Sequence, residues 1–184
     1  MASRPPAGPS SIRAVPLSAE GYRDYGDVIS AEAGARSRSA NMGTARRFNA
    51  LAKLENRRPG KARPNLCVFR CEPQVRAPQT SFEIRLLEKH PFSTQAFIPM
   101  SGAERFLVVV CLGADKPDLS TLRVFLATGS QGITYRPGVW HHPLIAMDRR
   151  TDFACLIWED GTSGDCEVVK LARSVRVELA APES

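Results

Sequence analysis

The segment that decides the fold is a run of nine residues with alternating character, Phe82-Glu83-Ile84-Arg85-Leu86-Leu87-Glu88-Lys89-His90. Alternation of apolar and polar residues is typical of a β-strand with one buried face. Phe82, Ile84 and Leu86 share a face, which we assign to the core. If the pleat continues, Glu88 and His90 face inward too, where unpaired polar groups are unfavourable, so we expect a polar pocket, a metal or mutual pairing. The alternative is a strand that ends before Glu88 and leaves both side chains exposed in a turn.

A second informative segment holds two of the three histidines, Tyr135-Arg136-Pro137-Gly138-Val139-Trp140-His141-His142-Pro143. Adjacent residues of an extended chain point to opposite sides. Only one of His141 and His142 is therefore expected to share a site with His90, as a general base or a metal ligand. Surface or packing histidines are the alternative. A metal would need about three or four ligands, and His90, Glu88, Gln95 and one of His141 or His142 are the candidates.

Short apolar segments separated by turn residues surround these two stretches. They predict strands at 28–29, 66–71, 82–88, 106–112, 133–135, 144–147, 153–158 and 167–171. Many short strands favour a mainly β sandwich or small barrel in a single domain. We expect the domain to cover residues 15–178, between an N-terminal tail of residues 1–14 and a C-terminal tail of residues 179–184.

Three helices are predicted between the strands. Ser18 is placed to cap a short helix that ends at Gly26. Phe48, Leu51 and Leu54 recur at helical spacing and predict a helix or helical turn over residues 45–54. Asp118 is placed to cap a third helix, which Gly129 would end. The buried face of that helix would consist of Leu119, Leu122, Phe125 and Leu126.

Composition narrows the function classes. The 184 residues are 43% hydrophobic and 24% charged, which suits one globular domain. The formal net charge of +6 resides in the N-terminal third, where residues 1–64 hold 12 Lys and Arg against 5 Asp and Glu. Few aromatic residues accompany these charges, so we expect no nucleic-acid partner. No apolar span or signal segment is visible, which predicts a cytoplasmic protein without a membrane partner. Five scattered cysteines favour reduced thiols.

Common cofactor and protease motifs are not found. The sequence contains no P-loop, no GxGxxG, no nucleophile elbow and no HExxH, so we expect no nucleotide cofactor. The loop over residues 113–118 has the composition of an ordinary surface turn, although its Lys116 can reach an anionic ligand.

Several longer blocks resemble the ureidoglycolate lyase family. The blocks lie at 87–91, 94–99, 115–123 and 131–143. Upstream, residues 16–18, residues 25–29, and Asn41-x-Gly43 followed by Arg47 are also similar to that family, as is the Asp165-Cys166 turn. The likeness spans roughly residues 15–171.

The resemblance implies a cupin-like β-barrel of the double-stranded β-helix or jelly-roll type with a few short helices. It also implies a homodimer that splits (S)-ureidoglycolate into glyoxylate and urea in allantoin-derived purine catabolism. A divalent metal such as nickel is the cofactor associated with the family, although this chain has no clear cupin metal motif. Alternatives are a metal-dependent cupin enzyme of another type and a non-catalytic small-molecule-binding cupin.

Elimination from this substrate needs a base, an acid and a cationic clamp for the carboxylate. We assign the proton transfers to His90 and one of His141 or His142, with Glu88 orienting an imidazole. Arg47 and Lys116 are the candidate clamps. The remaining substrate-binding candidates are Gln95 for the ureido group, Asn41 from the upstream motif, and Tyr135 and Trp140 as walls of the pocket.

Overall fold

The protein is built almost entirely from β-strands. The computed structural model describes residues 8–31 and 36–179. Its strands within these ranges are β1 (Ser11–Arg13), β2 (Val15–Pro16), β3 (Val28–Ile29), β4 (Ser37–Ala40), β5 (Ala45–Phe48), β6 (Arg63–Cys71), β7 (Ser81–Lys89), β8 (Gln95–Ser101), β9 (Arg105–Cys111), β10 (Arg123–Thr128), β11 (Gly132–Tyr135), β12 (Trp140–His141), β13 (Ile145–Ala146), β14 (Thr151–Glu159) and β15 (Glu167–Glu178).

Helices in the same part of the chain are short. They are α1 (Ala19–Tyr22) and three 3-10 helices at Asn41–Gly43, Leu119–Thr121 and Ser163–Asp165. None of the helices in the described residues has the length and apolar character needed to cross a membrane. The predicted mainly β architecture is therefore confirmed, and with it the expectation of few and short helices.

The larger sheet curls into a nearly closed barrel. Its strand order is β1-β15-β7-β12-β9-β10-β2, with β13 also paired to β9. Although β1 and β2 are separated by one residue in sequence, they pair with opposite ends of the sheet, β1 with β15 and β2 with β10. The N-terminal segment therefore joins the two ends.

Strand β1 lies within the segment expected to be a tail, so regular pairing begins before residue 15. Residues 1–7 and 180–184 lie outside the described residues.

The smaller sheet packs against the barrel and creates a second core. Its order is β3-β11-β8-β14-β6. Apolar residues of both sheets form the core between them, and a separate core is built almost entirely from residues of the curled sheet. Strand β9 is buried on both faces because alternate residues enter the two cores. Phe106, Val108 and Val110 face the smaller sheet, and Leu107, Val109 and Cys111 face the barrel interior.

Strand β7 changes phase in its middle. Phe82 and Ile84 pack into the barrel core, and so does Leu87, although Leu87 lies three positions after Ile84. A regular strand cannot place both on one face, because its side chains alternate. The cause is an irregularity in the pairing with β15, where Leu86 pairs with Lys170 but Ile84 pairs with Val175. The expectation that Phe82, Ile84 and Leu86 share one core face is therefore wrong.

The same phase change buries Lys89 inside the barrel. Its Nζ donates a hydrogen bond to the Ala114 carbonyl at 2.7 Å and lies 3.1 Å from Glu167 Oε2. The ammonium also stands 4.6 Å from the centre of the Trp140 ring. These partners compensate the loss of hydration that burial of a charge entails. Glu88, between Leu87 and Lys89, consequently points out of the barrel and toward the smaller sheet.

Two predicted helices are strands or irregular segments instead. Residues 45–54 begin with β5, which pairs with β4 across a tight turn, and continue over the smaller sheet without regular structure. Asp118 does cap a helix, since its side chain accepts a hydrogen bond from the Ser120 N–H, but that helix is a single 3-10 turn followed by β10. Val124 enters the barrel core while Phe125 enters the core between the sheets. A strand buried on both faces has a continuous apolar run, which periodicity cannot separate from a helix.

Most other sequence-based elements are confirmed. Ser18 caps α1 by accepting a hydrogen bond from the Gly21 N–H. Each predicted strand overlaps an observed one, with boundary differences of one or two residues for most and a longer β15 than expected.

Candidate active site

A cavity of about 230 Å³ opens between the two sheets. Polar groups reach it from both sides, since Glu88 and His141 belong to the curled sheet, His90 follows β7, and Gln95 begins β8 in the smaller sheet. Its full lining is Cys67, Phe69, Cys71, Glu88, His90, Gln95, Phe97, His141, Pro143, Leu144, Ile157 and Glu159. Lys and Arg do not occur among these lining residues.

Glu88, His90 and His141 form the polar centre of the cavity. One ligand-capable atom of each lies within 4.8 Å of those of the other two. His141 pairs directly with Glu88 across β12 and β7, so both side chains project from the same face of the sheet. His141 Nε2 lies 3.6 Å from Glu88 Oε1, and the two imidazole rings are stacked with centres 5.6 Å apart. The polar pocket predicted from the alternation is therefore present, although the phase change in β7 supplies it.

Backbone carbonyls orient both imidazoles in the same way. His90 Nδ1 lies 2.9 Å from the Asp165 carbonyl oxygen, and His141 Nδ1 lies 2.9 Å from the Val139 carbonyl oxygen. A carbonyl oxygen only accepts, so each Nδ1 carries the hydrogen when the ring is neutral. Each Nε2 is then left with its lone pair, and His141 Nε2 is buried without a hydrogen-bond partner. Two free imidazole nitrogens beside a carboxylate can accept protons or bind a metal.

The site favours a neutral His90 and an ionised Glu88. Burial lowers the pKa of His90, and the neighbouring His141 lowers it further. Burial alone would raise the pKa of Glu88, but interactions with His141 and the nearby His90 and His142 outweigh burial and lower it. At neutral pH, His90 is therefore in its neutral form, which can act as a base, and it lies next to the negative charge of Glu88.

A short turn at residues 160–165 supplies the backbone carbonyl that contacts His90. The residues of this turn were not among the predicted site residues. The Asp165 carboxylate accepts hydrogen bonds from the Asp160 and Gly161 backbone N–H groups and from the Arg58 guanidinium. Arg58 also bonds to Asp160 at 2.5 Å. Because Asp165 presents its carbonyl to His90, this network holds the imidazole in place. The resemblance had pointed to the Asp165-Cys166 turn, but no local pattern indicates the distant Arg58.

Gln95 belongs to the cavity lining, whereas Tyr135, which was predicted to be a wall of the pocket, does not. Gln95 lines the cavity, and its buried amide oxygen makes no hydrogen bond. Tyr135 lies behind the cavity and stacks flat on His141, with ring centres 3.9 Å apart and an angle of 7° between the planes. Burial raises the pKa of the Tyr135 hydroxyl above its ordinary value. Tyr135 thus supports the His141 ring, while Gln95 can meet a bound molecule.

Five other sequence-predicted residues do not line the cavity. His142 points away from it, with its ring edge-on to Phe82 at 5.4 Å and its Nδ1 2.7 Å from the Pro143 carbonyl oxygen. Trp140 is fully buried in the barrel core. The other three, Asn41, Arg47 and Lys116, are exposed side chains outside the lining. Alternation explains the first case, because His141 enters the cavity and its neighbours must face elsewhere.

Glu159 is a cavity residue that sequence reasoning missed. Phe153, Cys155 and Ile157 alternate along β14 and face the core between the sheets, and Glu159 continues the same alternation. The signal was present, since a carboxylate in phase with three buried residues is the pattern that identified Glu88.

The donor set fits a divalent transition metal. Two imidazole nitrogens and a carboxylate oxygen suit nickel, zinc or iron better than calcium or magnesium. Imidazole ligands usually donate one ring N–H to a fixed acceptor and bind the metal through the other nitrogen. Both rings have this arrangement, because each Nδ1 faces a backbone carbonyl and the buried Nε2 of His141 has no hydrogen-bond partner. Of the four predicted ligands, Glu88, His90 and Gln95 face the cavity, and His141 rather than His142 completes the group.

A nearly closed β-barrel with carboxylate and imidazole groups in an inner cavity defines a cupin-like enzyme. The model of the ureidoglycolate lyase family matches residues 9–178. Ureidoglycolate lyases from Escherichia coli O139:H28 and Shigella boydii serotype 18 are each 44% identical to the chain over 160 residues, covering 85% of the chain and 92% of each relative. The protein belongs to the ureidoglycolate lyase family.

A solved structure described as RmlC from Streptococcus suis in complex with dTDP-D-xylose is also similar. It is 14% identical with a TM-score of 0.38, and the match covers 56% of this chain and 47% of that one.

The histidine geometry predicts selective loss of metal binding. We expect Ni²⁺ to bind the protein and His141→Asn to weaken the affinity by 10-fold or more, on the order expected when a ligand is lost. His142→Asn is the matched control, because it alters the adjacent imidazole outside the cavity. Titration calorimetry with Ni²⁺ measures both. Equal weakening by the two substitutions would contradict the assignment of His141 to the site.

Proposed function

We propose that this cavity splits (S)-ureidoglycolate into glyoxylate and urea. The observation that carries the proposal is the pair of oriented imidazoles, each with a free Nε2, beside an ionised carboxylate in a largely enclosed cavity. The substrate is a hemiaminal, so the reaction breaks one carbon–nitrogen bond. Its hydroxyl loses a proton as the carbonyl of glyoxylate forms, and the departing urea nitrogen gains one. No hydride moves and no acyl-enzyme is required.

His90 and His141 are suited to these two proton transfers. His90 is neutral and can accept the hydroxyl proton at Nε2, while a protonated His141 beside Glu88 can deliver a proton to the urea nitrogen. Glu88 Oε1 lies 3.6 Å from His141 Nε2, so the carboxylate stands beside the atom that would deliver this proton. The free amide oxygen of Gln95 can accept a hydrogen bond from the ureido group. Each turnover leaves His90 protonated and His141 neutral. Transfer of one proton from His90 to His141 then restores the starting state, so the protein neither gains nor loses a proton overall.

A divalent metal would be held by Glu88, His90 and His141. When bound, it would take up the Nε2 lone pairs of both imidazoles, so Lewis-acid polarisation of a substrate oxygen would replace the proton transfers by these two rings. The residues behind the ligands keep their role in either case, since the turn at Asp165 and the ring of Tyr135 hold the imidazoles in one orientation.

We also propose that the protein is a homodimer that joins through the outer face of the smaller sheet. Leu66 and Leu156 pair across β6 and β14, and Val68 pairs with Ala154, so their side chains share that face. Leu66 is 75% exposed, Val68 57% and Ile98 47%. A contiguous apolar surface on a sheet marks an interaction site more often than a free surface. The resemblance implies a second copy as the occupant, in the cytoplasm where the lyase reaction takes place.

Product analysis tests the reaction directly. Purified protein supplied with ureidoglycolate is expected to release glyoxylate and urea in equal amounts without ammonia. His90→Ala should lower turnover by ~10²–10⁴-fold, as loss of a general acid or base does. His142→Ala controls for removal of a nearby imidazole and should retain most activity. Release of ammonia would instead indicate an amidohydrolase.

The pH dependence of kcat/KM tests the state of His90. Burial lowers its pKa, so the neutral base persists to more acidic pH than an ordinary histidine allows. Activity is expected to fall only as pH drops below about 6.5, the ordinary value. Gln95→Ala provides a control that changes substrate contacts without changing the charge of the site. A midpoint above the ordinary histidine value would contradict neutral His90 as the base.

The dimer interface can be tested by placing a charge on it. Leu66→Glu combined with Ile98→Glu is expected to convert a dimer into a monomer, because two buried carboxylates would face the partner without compensation. Val168→Glu introduces a similar charge at an exposed valine of the curled sheet and should leave the dimer intact. Light scattering after size-exclusion chromatography gives the molar mass. A dimeric Leu66→Glu/Ile98→Glu variant would show that another surface joins the subunits.

A further inference from the structure

The cavity has no fixed positive charge for a substrate carboxylate. Glu88 and Glu159 lie on its wall, and none of the described lining residues is Lys or Arg. An anionic substrate would therefore be repelled unless cations reach the cavity from elsewhere. This step rests on the proposed function, because ureidoglycolate is an anion.

Three arginines, Arg38, Arg46 and Arg47, lie on one exposed hairpin. We define the arginine arm as Ser37–Phe48, which contains β4, β5 and the turn between them. The two strands pair only with each other. No residue of the arm is buried, and Met42 at its tip is fully exposed. An isolated two-stranded hairpin is marginally stable in water, so a structural partner is expected.

Two arginines face each other on the arm. Arg38 and Arg47 are directly paired across β4 and β5. Like charges in directly opposed positions are unfavourable, and neither side chain has an ion pair among the described residues. Arg46 differs, since its guanidinium donates to the Ser37 hydroxyl. The opposed pair has the charge and geometry to hold a carboxylate between two guanidinium groups.

The tip of the arm is a tight hairpin turn that stands clear of the rest of its own subunit. Asn41, Met42 and Gly43 have φ values of 50°, 55° and 93°. Positive φ at successive residues is the ordinary geometry of a tight turn between two antiparallel strands. A side-chain carbon added at Gly43 would meet no atom within 4 Å. The described residues of the same subunit therefore do not enclose the tip.

The position of the arm relates it to the proposed dimer face. The chain leaves the arm and runs over the outer side of the smaller sheet, where Leu51 and Leu54 form a cleft with Leu66 and Ile98. Strand β6 links this face to the cavity, because its alternate side chains line the cavity while Leu66 and Val68 point outward. A second copy bound to this face would lie next to both the arm and the cavity edge.

We propose that the arginine arm of one copy completes the cavity of the other. Arg38 and Arg47 from the partner would bind the substrate carboxylate at the cavity mouth, opposite the imidazoles. The proposal explains why the described lining of a cavity with two glutamates contains no Lys or Arg, and why the strands of the arm pair only with each other among the described residues. It also makes the dimer necessary for substrate binding.

Subunit mixing tests the proposal through activity. One variant is Arg38→Ser/Arg47→Ser and the other is His90→Asn, and each alone should be nearly inactive. Heterodimers purified through two different tags should recover about half of the wild-type activity, because one of the two sites then combines an intact His90 with an intact arm. Heterodimers as inactive as the parents would overturn the proposal, since the arm would then act on its own subunit. Comparable molar mass and circular dichroism for all forms control for folding.

Cross-linking tests the position of the arm without relying on activity. Met42→Cys should form a covalent dimer with a short bismaleimide, through Cys67 or Cys71 at the cavity of the partner. The dimer should disappear when Cys67→Ser and Cys71→Ser are added to Met42→Cys. A covalent dimer that persists in that background, or only intramolecular links, would overturn the proposal. If wild-type protein released no glyoxylate, the proposed reaction would fail while cross-linking would still locate the arm.

Discussion

The irregular pairing between β7 and β15 determines the chemistry of the protein. Upstream of it, even-numbered residues such as Ile84 enter the barrel core, and downstream of it odd-numbered residues such as Leu87 do. Glu88 and His90 are thereby directed into the cavity between the sheets, and Lys89 is directed into the barrel. Without this change of phase, a lysine would occupy the cavity and two potential ligands would be buried against Trp140. The change of phase in β7 thus separates the cavity group of Glu88 and His90 from the buried ion pair of Lys89.

The imidazoles depend on backbone atoms more than on neighbouring side chains. The carbonyl groups of Val139 and Asp165 each engage an Nδ1 atom and leave Nε2 toward the cavity. Carbonyl groups hold this orientation at any pH, whereas a carboxylate partner would lose its charge in acid. The stacking of Tyr135 on His141 and the Arg58–Asp165 interaction then limit movement of the rings and of the turn. The two rings are held in one orientation because their supporting contacts lie on strands or a closed turn, which is the preorganisation that the proposed proton transfers require.

Positive charge is separated from the cavity, and this separation has a physical basis. A guanidinium placed among Glu88, His90 and His141 would pair with the carboxylate and compete with the imidazoles for it. It would also oppose binding of a metal cation to the same three groups. Cations on a separate hairpin can approach an anionic substrate without perturbing the acid–base groups. In the proposed dimer, the apolar outer face of the smaller sheet and the arginine arm are parts of one assembly.

Local sequence determined the class of fold and the chemical character of the site. Alternation, turn residues and the Ser18 cap are properties of a few neighbouring residues, so the strands around Glu88 and His90, and the rule that only one of two adjacent histidines enters the cavity, could be predicted from them. The same pattern in β14 would also have predicted that Glu159 faces the cavity. The tertiary structure decided what depends on distant partners. It made residues 123–128 a strand because both faces are covered, chose His141 through its register with Glu88, shifted the phase of β7, and placed Arg47 outside the cavity. Side-chain alternation is set within a strand, whereas the side that is buried is set by whichever elements pack against it.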